Sequence, residues 1–138
     1  MLAIVQLSKE SIIGAAVSIL SEFGLSDMTM RRVAKQLNVA PGALYWHFKN
    51  KQELIDATSR HLLAPILGRN DEQRASISAQ ETCAEMRSLM MQTKDGAEVI
   101  SAALSNQQLR QELESLISDS LKEPGIFPTI LYLCLLGN

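Results

Sequence analysis

The sequence has few cysteines, few aromatic residues and no apolar run of membrane-spanning length. Its 138 residues include two cysteines, and only 4% of them are aromatic. Cys83 and Cys134 are too few to predict a disulfide framework or a metal site, so a reducing cytoplasm is the expected location. The longest apolar run, 126–137, has about a dozen residues, whereas a membrane helix needs about twenty. The N-terminus also lacks the basic and apolar regions of a signal peptide.

The pattern of β-strands is also missing from the sequence. Apolar residues make up 46% of the chain, glycine and proline are scarce, and Val or Thr does not alternate with polar residues. This composition predicts an all-α fold. The chain has only two histidines and no clustered carboxylates, so we expect no metal and no other cofactor. It contains no nucleophile–base motif or nucleotide-binding loop, and we predict that it is not an enzyme.

The small net charge of −2 hides an unequal distribution between the two halves of the chain. Residues 1–64 contain seven Lys or Arg and five Asp or Glu, whereas residues 65–138 contain six and ten. A slightly basic N-terminal half suits local contact with a polyanion such as DNA better than it suits wholesale charge neutralisation.

Polar residues that precede periodic apolar positions predict four helices in the first half of the chain. Ser8, Thr29 and Asn50 are placed as N-caps. Gly24 stops the first helix, whose apolar face includes Phe23. The predicted helices cover 9–23, 29–37, 41–48 and 51–64.

The second half predicts a connection followed by three amphipathic segments. Residues 67–80 are polar and turn-prone, as expected for a link between two parts of a protein. Apolar residues at helical spacing mark the segments 83–90, 99–104 and 109–121. Asp95 and Gly96 separate the first two segments, and Ser105 is placed to cap the third.

The stretch 38–51, a turn followed by a short aromatic helix, is the most informative part of the sequence. Val39, Leu44 and Phe48 have the spacing of a buried face, which leaves most other side chains on the outside. Small residues at the start of such a helix allow its backbone to approach a surface closely. Tyr, Trp, His and Lys side chains further along can hydrogen-bond phosphate. This combination is typical of a helix that enters the major groove of DNA.

The order of these motifs resembles the DNA-binding head of the tetracycline-repressor (TetR) family. A first helix is followed by Thr-Met-Arg-Arg-Val-Ala-Lys-Gln-Leu at 29–37 and by Asn-Val-Ala-Pro-Gly-Ala-Leu-Tyr-Trp-His-Phe-Lys-Asn-Lys at 38–51. The resemblance covers residues 8–64, and a fainter likeness extends over 86–104.

This resemblance implies a domain organisation. Residues 1–64 are expected to form a three-helix DNA-binding domain with its helix-turn-helix at 29–48. Residues 65–138 are expected to form a helical effector-binding and dimerisation domain. We expect this second domain to be incomplete, because members of the family continue further with another helix.

The resemblance also implies nine residues that contact DNA. Positions that grip the DNA backbone are occupied by Thr29, Tyr45, Trp46, His47 and Lys51, and positions near base edges by Arg31, Pro41, Gly42 and Ala43. Among the second group, only Arg31 carries a bidentate donor suited to guanine O6 and N7. Pro41 and Ala43 offer apolar contact, for instance to a thymine methyl group.

A ligand pocket is expected in the body, but without the metal that drug-binding members of the family use. In those members a histidine holds the drug-bound magnesium ion, and Ile100 occupies that position here. Two further drug contacts, an Asn and a Phe, are replaced by Thr82 and Met86. The predicted lining is mostly apolar and has no reason to hold a metal chelate. It consists of Met86, Met90, Ile100, Leu104 and Leu113.

The leading hypothesis is a transcriptional repressor that binds a palindromic operator as a homodimer and is released by a small, mostly apolar effector. The apolar C-terminal segment 130–136 is expected to pair across the two-fold axis, because an all-round apolar helix must be buried against something. The alternative is a truncated regulator that acts as a protein-interaction module without effector control. Loss of a mobility shift on addition of one apolar compound distinguishes the first hypothesis from the second.

Overall fold

A computed structural model of the chain describes residues 6–119, and every regular element in that range is helical. The α-helices, in chain order, are α1 (Lys9–Phe23), α2 (Met30–Gln36), α3 (Pro41–Leu44), α4 (Lys51–Leu62), α5 (Ala64–Leu67), α6 (Asp71–Ser76), α7 (Ala79–Met91), α8 (Gly96–Ala103) and α9 (Gln107–Ser118). A short 3-10 helix, Leu25–Asp27, lies between α1 and α2. The predicted all-α fold is confirmed.

The helices of the head begin where the sequence places their N-caps. The Ser8 side chain accepts a hydrogen bond from the Ser11 backbone N–H, and the Ser11 side chain accepts one from the Ser8 backbone N–H. These two bonds form a capping box. Thr29 accepts from the Arg32 N–H at 3.1 Å, and Asn50 from the Glu53 N–H at 2.9 Å. These caps fix the starts of α1, α2 and α4 by local chemistry alone.

The core of the head lies between α1, α2, α3 and α4. Helix α1 packs against α2 and α4, and α2 packs against α3. The fully buried side chains that join these helices are Ile12, Ile19, Leu20, Met28, Val33, Leu44 and Leu54. Because this core takes up one face of α2 and α3, their opposite faces are left to solvent.

The body is built from α7, α8 and α9, and α4 packs on α8. Buried side chains of the head and the body form one continuous apolar cluster. The core is not divided at residue 64. The predicted boundary there, between a DNA-binding domain and an effector domain, therefore stays a prediction.

Two expectations about the head need correction. Phe23 was expected on the buried face of α1, but it is 42% exposed, because it lies at the end of the helix beyond the last buried turn. The helix predicted at 41–48 is regular only over Pro41–Leu44. Its continuation is a tightened turn, in which the Tyr45 and His47 N–H groups bond to carbonyls three residues earlier.

Two expectations about the body also need correction. The predicted connection 67–80 contains a helix, α6, whose start is fixed by a capping box between Asn70 and Gln73. Helix α9 is capped by Asn106 rather than by Ser105, since the Asn106 side chain accepts from the Leu109 N–H at 3.0 Å. Asn is as good an N-cap as Ser, and the sequence offered both side by side.

Within residues 6–119 no helix is both long enough and apolar enough to cross a membrane. The apolar segment 130–136 and Cys134 lie outside the described residues. The predicted pairing of that segment therefore stays a prediction.

Candidate nucleic-acid interface

The turn between α2 and α3 sets the direction of the third helix. Asn38 has a left-handed backbone conformation, with φ of 57°, which Asn tolerates better than most residues. The Val39 N–H then bonds to the Ala34 carbonyl at 3.0 Å and closes the turn. Ala40 is extended, and Pro41 occupies the first turn of α3, where its missing N–H costs nothing.

Two buried side chains anchor the segment 41–48, called here the recognition segment. Leu44 is fully buried and Phe48 is 4% exposed. At the start of the segment Pro41 and Gly42 are exposed and Ala43 is half-buried. A Cβ placed on Gly42 would meet no atom within 4 Å, so the backbone at this point faces open space. A surface such as a base edge can therefore approach it closely.

The aromatic residues of the recognition segment project outward. Trp46 is 89% exposed and Tyr45 is 50% exposed, while His47 is half-buried. Exposed large aromatic side chains of this kind are more typical of contact surfaces than of ordinary solvated turns. Each carries a polar group suited to hydrogen bonding at a surface.

The remaining predicted DNA contacts surround the recognition segment in the fold. Arg31 is exposed on α2, which packs against α3, and Thr29 is the half-buried N-cap of α2. A surface groove of about 520 Å³ follows α2 and is lined by Thr29, Arg31, Arg32, Lys35 and Gln36. Lys51 is exposed at the first position of α4, next to free backbone N–H groups.

The charge of this region is strongly positive. Residues 25–51 contain five Lys or Arg and a single carboxylate, Asp27. All five cations are exposed: Arg31, Arg32, Lys35, Lys49 and Lys51. The region thus combines basic, aromatic and small residues on one part of the surface.

Two cation–aromatic contacts at this surface were not predicted from the sequence. The Arg32 guanidinium lies 4.2 Å from the centre of the Phe23 ring, and the Lys9 ammonium lies 5.8 Å from the centre of the Phe48 ring. Each pair joins residues that are distant in sequence, so no local pattern pointed to them. The apolar pattern predicted a buried Phe23 and so gave no indication of its contact with Arg32.

The predicted ligand-pocket residues come together in the body. Met86, Ile100 and Leu113 are fully buried and Met90 is 3% exposed, on helices α7, α8 and α9 that pack together. Leu104 is half-buried at the end of α8. These side chains form part of the apolar core.

A polar cluster lies beside Met86, one of the predicted pocket residues. Thr82, one turn before Met86, is 1% exposed and accepts a hydrogen bond from the Arg69 guanidinium at 3.2 Å. The Arg69 side chain is 7% exposed and also pairs with Glu85. Within residues 6–119 no group of three or more His, Cys, Asp or Glu side chains is placed to hold a metal ion.

Several polar contacts connect the head to the body, and three of them join different pairs of elements. The Ser59 hydroxyl of α4 donates to the Val99 carbonyl at 3.1 Å, and both groups are buried. The Arg60 guanidinium donates to both oxygens of Glu112, at 2.9 and 3.0 Å. The third contact joins the loop before α8 to the end of α1.

In this third contact the Asp95 carboxylate accepts from the Leu25 N–H at 2.8 Å. Gly24, with φ of 94°, passes so close that a Cβ there would lie 2.6 Å from the same carboxylate. A left-handed backbone at Asp95, φ 58°, directs the side chain to this point. The turn that leads into the helix-turn-helix is thus held directly by the body.

Comparison with known proteins agrees with this geometry. The profile described as "Bacterial regulatory proteins, tetR family" matches residues 12–58. The class C tetracycline repressor protein of Escherichia coli is 35% identical over 98 residues, which cover 68% of this chain and 44% of the repressor. BioQ of Mycobacterium smegmatis is 32% identical with a TM-score of 0.81, over 94% of this chain and 77% of BioQ.

The chain belongs to the TetR family. A structure of BioQ with its natural double-stranded DNA operator is also similar, with a TM-score of 0.77 and 32% identity over 94% of this chain and 83% of that one. The predicted membership of the TetR family is confirmed, and so is the prediction that this family member is not an enzyme.

The match to the tetracycline repressors covers only part of their length. The chain spans about half of the curated repressors, with 44% of the class C protein and 46% of the class G protein of Vibrio anguillarum covered.

Proposed function

We propose that the chain is a DNA-binding transcriptional repressor that acts in the cytoplasm as a homodimer on a palindromic operator. The observation that carries the proposal is the exposure of Trp46 and Tyr45, at 89% and 50%, on a short segment anchored by buried Leu44 and Phe48. A rigidly anchored segment that presents aromatic side chains to solvent is built for contact with a partner. The exposed cations around it favour an anionic partner.

We assign recognition of the DNA base sequence to Arg31, Pro41, Gly42 and Ala43. The open space at Gly42 allows the backbone of α3 to come close to base edges. Arg31 is exposed on α2 and carries a fork of N–H donors that matches guanine O6 and N7. Pro41 and Ala43 add apolar surface, which suits a thymine methyl group.

Backbone binding is assigned to the other predicted contacts. Lys51 adds its ammonium to the free N–H groups of the first turn of α4, a ready site for one phosphate. Thr29, Tyr45, Trp46 and His47 supply neutral hydrogen-bonding groups, which position a protein on DNA without reading sequence. The likeness to BioQ, which has been solved with its operator, supports binding to double-stranded DNA.

Release by an effector is the regulatory part of the proposal. Met86, Met90, Ile100, Leu104 and Leu113 are proposed to separate around a small, mostly apolar molecule. A shift of α8 relative to the head acts on two contacts, that of Ser59 with Val99 and that of Asp95 with Leu25, and so on the position of the head. A ligand can drive this change only by its differential affinity for the two arrangements.

We propose a homodimer because a single head contacts too few base pairs to be specific. A single short helix makes few base contacts, which gives little specificity against competing genomic sites. Two heads held roughly 34–36 Å apart meet the same face of the duplex. The segment 130–136, outside the described residues, is the proposed dimer contact.

A mobility shift on the region upstream of the chain's own gene tests the proposal. We expect a shifted complex that one small apolar compound abolishes. A complex that no compound affects would leave DNA binding in place and contradict effector control. Absence of any complex would favour the alternative, a protein-interaction module.

Replacement of Lys51 by alanine is expected to weaken binding to all duplexes alike. Loss of one phosphate contact should lower the slope of log K against log salt by about 0.9 per half-site. A salt titration of the wild type and the variant measures this slope. If Lys51→Ala changed base preference and left the slope unaltered, the assignment to phosphate would be wrong.

Magnesium–tetracycline is expected not to release the protein from DNA. Ile100, which is fully buried, stands where the resemblance requires a metal-binding histidine, and an alkyl side chain cannot ligate magnesium. Titration of a protein–DNA complex with tetracycline, with and without magnesium, measures this. Tight magnesium-dependent release would contradict the proposed apolar effector class.

A further inference from the structure

Arg32 is held in position at the edge of the candidate interface. Its guanidinium lies 4.2 Å from the centre of the Phe23 ring, and its backbone N–H is fixed by the Thr29 cap. Contact with a ring face uses none of the guanidinium N–H donors, which stay available for another partner. The contact covers part of a ring that is 42% exposed at the end of α1, so Phe23 serves as a support for the cation.

Lys9 is held in the same way beside the recognition segment. It is the first residue of α1 and is exposed, and its ammonium lies 5.8 Å from the centre of the Phe48 ring. Phe48 lies two positions after Trp46, the most exposed aromatic residue of the segment. The Lys9 charge is therefore close to the end of the recognition segment.

Neither of these cations is paired with a carboxylate within residues 6–119. The arginines that do form ion pairs in that range all lie in α4 or beyond: Arg60, Arg69, Arg74 and Arg110. Arg32 and Lys9 thus keep their full charge for an external anion while their side chains are already ordered. Pre-ordering of this kind lowers the entropy lost on binding.

The two cations lie against opposite ends of α1. Lys9 is its first residue, and the Arg32 side chain, which α2 carries, lies over Phe23, its last residue. Helix α1 has 15 residues, so its ends are roughly 21 Å apart at 1.5 Å per residue. That span exceeds the width of the major groove, about 12 Å. Cations so placed are far enough apart to reach phosphates on both sides of a groove that holds the recognition segment.

We infer that Arg32 and Lys9 are two further DNA-backbone contacts, each positioned by an aromatic ring and together flanking the major groove. The inference rests on the proposed DNA-binding function. It enlarges the phosphate footprint beyond the positions that the family resemblance implies. Phe23 is a positioning residue that acts through Arg32.

Fluorescence anisotropy with a labelled duplex of mixed sequence tests the inference, because phosphate contacts act on any sequence. The variants are Arg32→Gln, Lys9→Gln and the double variant, titrated over a range of salt concentrations. Each single change should lower the salt slope by about 0.9 per bound chain. This corresponds to a loss of roughly eightfold in affinity at about 0.1 M salt, because the lost slope of about 0.9 applies over the one decade of salt concentration between 1 M and 0.1 M.

Three matched variants complete the experiment. Arg87→Gln removes an equal charge from an exposed position on α7 in the body and should leave the slope unchanged. Phe23→Leu keeps the Arg32 charge but removes its support, so it should weaken binding severalfold with little change of slope. Lys51→Ala serves as the reference for the proposed function.

The outcomes distinguish the flanking contacts from the proposed DNA-binding function. If the wild type binds and Lys51→Ala lowers the slope, but Arg32→Gln and Lys9→Gln behave like Arg87→Gln, the flanking contacts are refuted and the proposed function stands. If the wild type does not bind the duplex at all, the proposed function fails and this inference fails with it. Thermal unfolding of each variant checks that none has lost its fold.

Discussion

Replacement of Gly96 by alanine is expected to lower the free energy of unfolding by about 3 kcal/mol, at the upper end of the usual cost of overpacking. Gly96 is buried at the first position of α8, and a Cβ there would lie 2.2 Å from the Met90 carbonyl oxygen. The same Cβ would lie 3.0 Å from the Met90 carbonyl carbon. Backbone atoms cannot turn aside as a flexible side chain does, so α7 and α8 must separate. Urea unfolding measures the loss.

Gly14 provides the matched control for this change. It is exposed in the middle of α1, and a Cβ there would meet nothing within 4 Å. Gly14→Ala should therefore stabilise the protein by about 0.5–1 kcal/mol, the difference in helix propensity between the two residues. Equal stability of the Gly96→Ala variant and the wild type would contradict the described packing of α7 on α8.

Replacement of Arg31 by alanine is expected to produce the largest loss of specific DNA binding. If its guanidinium pairs with guanine O6 and N7, removal should cost about 1–3 kcal/mol per half-site, which is about fivefold to 150-fold. The loss should be confined to one base pair in each half-site. Binding constants for a set of duplexes, each altered at one base pair of the bound sequence, measure this.

Arg31→Lys is the matched variant, because it keeps the charge and removes the bidentate fork. We expect it to retain the salt slope while losing most of the preference at that base pair. If Arg31→Ala instead lowered the affinity for every altered duplex by the same factor, Arg31 would be a phosphate contact.

Much of the head could be predicted from the sequence because its helix starts are set by local chemistry. Ser8, Thr29 and Asn50 act as N-caps as expected, since a side chain and a backbone N–H three residues later suffice to form each cap. Leu44 and Phe48 are buried as expected, because four-residue spacing places them on one helical face. The all-α fold followed from the same kind of pattern.

The features that escaped prediction depend on contacts between distant residues. Phe23 has the sequence position of a core residue, but it lies beyond the last buried turn of α1 and contacts Arg32 instead. The bond between Asp95 and Leu25 joins residues separated by 70 positions. No periodicity reports such a pairing, because it depends on how α1 and the loop before α8 meet in the fold.

The short elements were also difficult to predict. The polar stretch 67–80 reads as a connection because its composition matches that of a loop. Helix α6 forms there because the Asn70–Gln73 capping box and two carboxylates in its first turn stabilise its start. Ser105 and Asn106 are both good caps, but the Ser105 hydroxyl donates to the Ala102 carbonyl at 3.1 Å, and Asn106 caps α9.

Acrylamide quenching of tryptophan fluorescence tests the central claim most directly, since Trp46 is the chain's single tryptophan and lies in the proposed DNA interface. At 89% exposure it should be quenched freely in the unbound protein. We expect added duplex DNA from upstream of the gene to shield Trp46 in proportion to the fraction of protein bound, as followed by anisotropy. Binding that leaves Trp46 as accessible as before would contradict the account, because DNA would then occupy another surface.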